Sequence, residues 1–175
     1  ERVAFMRAVD PEGWPDLSDE ALMAQFDDGL GPMLAGKMRL SDITPEDLDG
    51  VIAAFLPWDA KRRLEDLVPD RMTTPAGTSH AIDYAAPGGP AVEVRVQELF
   101  GLTRHPCVAG GRVPLTLVLL SPAHRPIQTT RDLPGFWQGS WAQVKAEMKG
   151  RYPKHPWPDD PAAAPPTTRA KPRGT

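Results

Sequence analysis

Prolines are scattered through nearly the whole of this chain, and they cap the length of any element it can form. There are 21 of them among 175 residues, together with 15 glycines. Proline removes a backbone donor and fixes φ, so it ends helices and is kept out of central strands. Short elements joined by fixed turns are therefore expected, not long helices or a broad sheet. The longest apolar run, Leu115 to Leu120 with Thr116 inside it, is far too short to cross a bilayer.

Charge divides the chain as sharply as proline punctuates it. Glu1 to Asp70 carries 7 basic and 16 acidic residues, whereas Arg71 to Thr175 carries 13 basic and 7 acidic, so the net charge of −3 hides a basic second part. That balance argues against broad coating of nucleic acid and leaves room for a local contact face. The single cysteine, Cys107, excludes an internal disulfide and fits a reducing setting, so a cytoplasmic location without membrane is expected. The chain opens on Glu1 with no basic leader and apolar run, and an excised segment is the simplest expectation.

The acidic part reads as helices. Ser18 precedes Asp19 and Glu20 and caps a helix with Leu22, Met23 and Phe26 on one face, ended by Gly29. A short segment follows around Met33 to Met38. Thr44-Pro45-Glu46-Asp47 supplies a second cap for a helix presenting Leu48, Val51, Ile52 and Phe55. A third helix is expected over roughly Asp59 to Leu67.

Near Asp70 the pattern changes. Met72–Thr74 and Ser79–Ala85 read as strands around the turn Pro75–Thr78, and Val92, Val94 and Val96 alternate with Glu93, Arg95 and Gln97 as in a half-buried strand. Leu115–Leu120 is the best central strand, and Ile127–Thr129 a short later one. Thr130 is expected to cap a segment through Trp137, and Ser140 to Lys149 a helix closed by Gly150. The expected fold is α+β: short N-terminal helices, a small antiparallel β-sheet or partly open barrel, a C-terminal helix and an extended Pro-rich arm. Three parts are expected: an acidic helical subdomain (1–70), an antiparallel β unit with its terminal helix (71–150), and a proline-fixed arm with a disordered tail (151–175).

Chemistry-bearing motifs are scarce. Gly31 to Met38 has the glycine and lysine spacing of a phosphate loop, but Met38 stands where a hydroxyl should hold Mg²⁺ and Pro32 removes an N–H from the cradle. Only His105-Pro106-Cys107 brings two possible metal ligands together, where a structural zinc site takes about four. Ser121 lacks the glycine-flanked elbow of a hydrolase nucleophile and is expected to end its strand. No catalytic residue, cofactor site or metal site is expected in this chain.

The positive signal is arginine clustered with amides and aromatics. Arg95 and Gln97 share one strand face, Arg112 lies in a glycine-rich turn, and Arg125 and Arg131 flank the last strand. Arg151, Tyr152, Lys154, His155 and Trp157 crowd into seven residues of the arm. Cations meet phosphates and aromatic rings stack on unpaired bases, so these ten residues are the candidate contacts for single-stranded RNA. Alternatively the arm is a latch, laying Tyr152 and Trp157 back over its own domain. Trp14, Trp58, Trp137 and Trp141 are expected in core or interface packing.

Several runs carry a family likeness: Leu17-Ser-Asp-Glu-Ala-Leu22, Thr74-Pro-Ala-Gly77, Arg95-Val-Gln-Glu-Leu-Phe-Gly101 and Leu119-Leu-Ser-Pro-Ala-His-Arg-Pro126. Thr130-Arg-Asp-Leu133, Phe136-Trp137 and above all Gly150-Arg-Tyr-Pro-Lys-His-Pro-Trp-Pro-Asp-Asp-Pro161 extend it. From about Trp14 onward the chain resembles the C-terminal region of the HrpB family of bacterial DEAH-type helicases. The resemblance implies a larger parent whose two RecA-like lobes hold ATP and Mg²⁺ upstream of this region. It also implies partnership with those upstream domains and a non-catalytic accessory role, assisting RNA binding or buttressing the motor. A protein–protein interaction or dimerisation module is the alternative.

Overall fold

The computed structural model describes residues 1–24, 35–36, 39–47, 50, 55–56 and 58–170. The chain divides into two compact units, Glu1–Val68 and Pro69–Thr175.

Among the described residues of the first unit are the helices α1 (Arg2–Val9), α2 (Asp19–Ala24) and α3 (Trp58–Leu67). Val3 and Met6 lie one turn apart on α1 and are buried, as are Trp14, Ala60, Leu64 and Val68 among the described residues of this unit. Arg2 joins the end of α3 twice, donating from Nε to the Val68 carbonyl at 2.6 Å and pairing with Glu65 at 3.0 Å. The Arg63 guanidinium lies 5.3 Å from the centre of the Trp14 ring. Ser18 caps α2 by accepting the Ala21 N–H at 3.3 Å. Thr44 and Asp47 form a reciprocal box: Thr44 Oγ1 accepts the Asp47 N–H at 3.2 Å and Asp47 Oδ2 accepts the Thr44 N–H at 2.8 Å. Phe26, Gly29, Leu48, Val51 and Ile52, and all of Gly31–Met38 except Ala35 and Gly36, lie outside the described residues. Helix α1 went unanticipated, because its arginines and alanines blur the apolar stripe. Trp58, expected in core or interface packing, is not in the core: it is 80% exposed at the start of α3.

The second unit is built on three small sheets. β1 (Arg71–Thr73) and β2 (Ser79–Ala81) form an antiparallel hairpin closed by the Thr74 N–H bonding to the Thr78 carbonyl at 2.8 Å, with Gly77 at φ +78°. β3 (Ala91–Arg95), β6 (Thr116–Leu120) and β7 (Pro126–Thr130) form the main sheet in the order β3-β6-β7. β6 is the central strand, as its apolar run predicts. β4 (Cys107–Val108) and β5 (Val113–Pro114) make a two-stranded hairpin. The class is α+β, as expected, and no sheet among the described residues closes into a barrel.

One pairing differs from the antiparallel expectation: β3 runs parallel to β6. Parallel neighbours need a long crossover, and Val96 to Leu115 supplies one that contains the β4–β5 hairpin. Beyond β7 come α4 (Leu133–Gln138) and α5 (Trp141–Arg151). Asp132, not Thr130, caps α4 by accepting the Gly135 N–H at 3.0 Å. Gly150 does not close α5, which runs to Arg151 before Pro153 halts it. Phe100, Phe136, Trp137 and Trp141 pack edge-to-face or tilted, with centroids 5.1 to 6.2 Å apart, and form the aromatic centre of this unit. Among the described residues no helix is long and apolar enough to cross a membrane.

Candidate nucleic-acid interface

The strand carrying Arg95 stops at that residue. Val96–Leu99 winds into a 3₁₀ helix whose four residues are all buried, so Gln97 is not on a strand face. The driving feature is apolar spacing: Val96, Leu99 and Phe100 stand three and four residues apart, and the turn sends all three into the core.

Glu98 is carried inward with them and is 1% exposed. Its Oε1 accepts Arg95 Nε at 2.5 Å, and its Oε2 accepts His80 Nε2 at 2.6 Å and the Thr78 hydroxyl. Thr78 in turn shares a hydroxyl contact with Thr74 at 2.7 Å. Burial by itself pushes the Glu98 carboxyl up, but the hydrogen bonds from Thr78, His80 and Arg95, with the Arg95 charge, outweigh it and hold the group below the usual carboxylate range. Since the carboxylate only accepts, His80 carries its proton on Nε2.

The proline-rich arm closes over this turn instead of extending away. Gln97 Nε2 donates to the Pro156 carbonyl at 3.2 Å, and the Gln97 carbonyl accepts the Thr167 N–H at 3.1 Å. Gly101 donates its N–H to the Pro161 carbonyl at 2.9 Å, and Trp141 Nε1 donates to the Pro158 carbonyl at 3.0 Å. Arg95 Nη1 reaches the Thr168 carbonyl at 3.4 Å. Prolines cannot donate, so their carbonyls are met by side-chain and backbone donors of the domain. Pro161 itself is buried, and the arm bonds to the domain as far along as Thr168. The last residues, 171–175, lie outside the described residues.

The ten candidate contacts fall into separate groups. Arg95 and Gln97 are engaged under the arm, as above. Trp157 is half-buried, donating Nε1 to the Tyr152 carbonyl at 2.9 Å with its ring 6.1 Å from that of Trp141. Arg112 is exposed in the β4–β5 turn and its Nε donates to the Ala109 carbonyl at 2.8 Å. Arg125 and Arg131 are exposed at opposite ends of β7. Arg151, Tyr152, Lys154 and His155 are brought together around one hollow of about 300 Å³, with Pro153 and Ala170. There Arg151 pairs with Glu147 at 2.9 Å, and the Tyr152 hydroxyl lies 3.4 Å from Ser121 Oγ. Ser121 Oγ also accepts the Arg125 N–H at 3.1 Å, which sets the β6–β7 turn beside Tyr152. Burial and then the nearby Arg95 charge hold the His155 pKa below its ordinary value.

Sequence reasoning did not single out Glu98, Thr78 or His80, whose contacts span 18 and 20 residues. The helical spacing of Val96, Leu99 and Phe100 was the signal that could have exposed the turn. His105 is similarly internal: its Nδ1 accepts the Leu133 N–H at 3.0 Å and its Nε2 meets the Leu115 carbonyl at 2.7 Å.

Comparison with known proteins gives one consistent result. The family model HrpB_C, described as ATP-dependent helicase C-terminal, matches residues 29–161. The ATP-dependent RNA helicase HrpB of Escherichia coli (strain K12) is 46% identical over 158 residues, which is 90% of this chain and 20% of that protein. A crystal structure of the E. coli DExH-box NTPase HrpB matches with a TM-score of 0.86 and 44% identity, over 96% of this chain and 21% of that one. A crystal structure of the Escherichia coli DEAH/RHA helicase HrpB matches with a TM-score of 0.70 and 41% identity, over 89% and 20% of the respective chains. The chain thus spans about a fifth of the length of the relatives it matches.

Proposed function

The chain belongs to the ATP-dependent helicase C-terminal family, HrpB_C, and from that premise we propose that it is a non-catalytic accessory domain that presents cations to RNA held by the motor of such a helicase. The observation that carries this reading is the exposure of Arg125, Arg131, Arg151 and Lys154 in the basic part of the chain, while Arg95 and Gln97 are spent on holding the arm. Exposed guanidinium and ammonium groups meet phosphates without reading sequence, which suits an accessory surface more than a specificity element. ATP and Mg²⁺ belong, on this reading, to motor domains outside this chain, because Gly31–Met38 lacks the hydroxyl that a phosphate loop needs.

Fluorescence anisotropy with labelled single-stranded RNA tests the proposal. Binding should weaken steeply with salt, with a slope of log K against log salt of about −0.7 for each phosphate neutralised. Changing Arg125, Arg131, Arg151 and Lys154 together to Glu should abolish it. No binding at low salt, with unchanged RNA affinity of a parent helicase lacking this region, would overturn the reading.

A second reading, a protein-contact module, is favoured by Trp58 and Met23, which are 80% and 69% exposed. It predicts a salt-tolerant association, seen by sedimentation, that Trp58→Ser removes.

A further inference from the structure

The hollow beside the end of α5 combines three kinds of chemistry within five consecutive residues. Arg151, which also pairs with Glu147, and Lys154 are exposed cations at its rim, Tyr152 offers a half-buried ring, and His155 contributes an imidazole. Pro153 sits among them and fixes the backbone that carries them. The Tyr152 hydroxyl is held by Ser121 at 3.4 Å, and the Tyr152 and His155 rings stand nearly perpendicular, at 87° with centroids 6.3 Å apart. His155 lines the hollow through the rest of its ring, since its Nδ1 is buried, with no hydrogen-bond partner among the described residues.

We infer that this hollow takes a single unpaired nucleotide of RNA, with its phosphate on Arg151 and Lys154 and its base against Tyr152 and the edge of His155. The inference rests on the RNA-binding reading above and locates one contact within it. A volume of about 300 Å³ is at the small end of ligand pockets, enough for one nucleotide and too little for a stacked run. Cations alone would fit any anion, but the Tyr152 ring beside them suits a base. Burial and the neighbouring Arg95 charge disfavour the protonated imidazole, so at neutral pH the ring adds no third cation.

The whole chain is titrated with UMP, with uridine and with inorganic phosphate in parallel, following the four histidine side chains by ¹³C-edited NMR. His155→Gln identifies the His155 signal. UMP is expected to move the His155 signal and to leave that of His105, which is held on both nitrogens, in place. Arg151→Gln with Lys154→Gln should weaken UMP binding at least tenfold. Tyr152→Leu should weaken UMP and leave phosphate unchanged, with Tyr152→Phe retaining UMP binding as the check that the fold is intact. If phosphate shifts His155 as strongly and as tightly as UMP, the hollow is an anion site and the inference fails. If His155 does not respond to UMP while labelled RNA still binds in anisotropy, the inference fails and the accessory RNA-binding reading stands. If labelled RNA does not bind and His155 does not respond, both fall.

Discussion

Arg95 and Glu98 stand three residues apart across the change from strand to 3₁₀ turn, and their side chains meet at 2.5 Å inside the domain. The pair is more than local, because the same carboxylate collects Thr78 and His80 from the β1–β2 hairpin while Arg95 extends to Thr168 of the arm. Removing one member of such a buried pair leaves the other charge uncompensated, which is far more costly than losing a surface ion pair. Glu98→Gln should therefore lower the free energy of unfolding by about 3 kcal/mol. Glu93→Gln, at an exposed position of β3, should change it by less than about 0.5 kcal/mol. Urea unfolding of the two variants makes the comparison.

Trp157 pins the arm through one ring contact and one N–H, and it is only half-buried. Trp157→Ala should cost about 1–2 kcal/mol, at the lower end for an aromatic side chain. Hydrogen exchange should then quicken at the Gly101 and Thr167 amides, which bond across to the arm and to Gln97 respectively. Unchanged protection at both would mean that the bonds of Arg95, Gln97, Gly101 and Trp141 hold the arm without Trp157.

Acid should destabilise the second unit in two stages of the same sign. The folded domain disfavours the protonated His155 ring, whereas an unfolded chain takes that proton near pH 6.5, so stability falls as pH drops below about 6.5 and levels off once the folded ring titrates. Glu98 adds a second loss at lower pH: its pKa is depressed in the folded state, so its contribution is present above the unfolded carboxylate pKa and is lost as pH falls through the folded value. Melting temperatures recorded from pH 8 down to about pH 2 should show both, and His155→Gln should erase the first alone.

Gly101 takes φ +83°, and a Cβ there would lie 3.3 Å from the Ala164 carbonyl oxygen. Gly101→Ala should cost more than about 1 kcal/mol, with strain of the left-handed backbone adding to the tight approach of the arm. Gly88→Ala is the control, since its φ of +89° carries the same strain with nothing within 4 Å. The difference between the two melting temperatures isolates the contact.

Features that depend on neighbours in sequence were legible from the residues. Ser18 and the Thr44–Asp47 box cap as their spacing predicts, β6 is central, and Trp137 and Trp141 are core. What escaped depends on distant partners. Alternation through Val92, Val94 and Val96 put Gln97 on an exposed face, but the next apolar steps are helical and turn it inward. The parallel pairing of β3 with β6 has no local signature, because it is decided by what the crossover between them packs against. Trp58 is the converse case: a large apolar residue predicts burial on average, and this one is exposed, so only the core half of its expectation fails. Of the candidate contacts, the crowded run Arg151–His155 was visible as composition, whereas the ring nitrogen left unmet within it is visible only in three dimensions.

The arm's bonds to the 3₁₀ turn also set an order in time. Gln97 waits for Pro156 and Arg95 for Thr168, partners 59 and 73 residues later in synthesis. Until those residues leave the ribosome, the Gln97 amide, the Gly101 N–H and the Trp141 indole N–H lack the acceptors they have in the finished domain. A nascent chain broken off after α5 would keep its sheets but leave these donors and the Phe100–Trp141 surface open to water and proteases. Docking of the arm therefore marks a translated domain as complete.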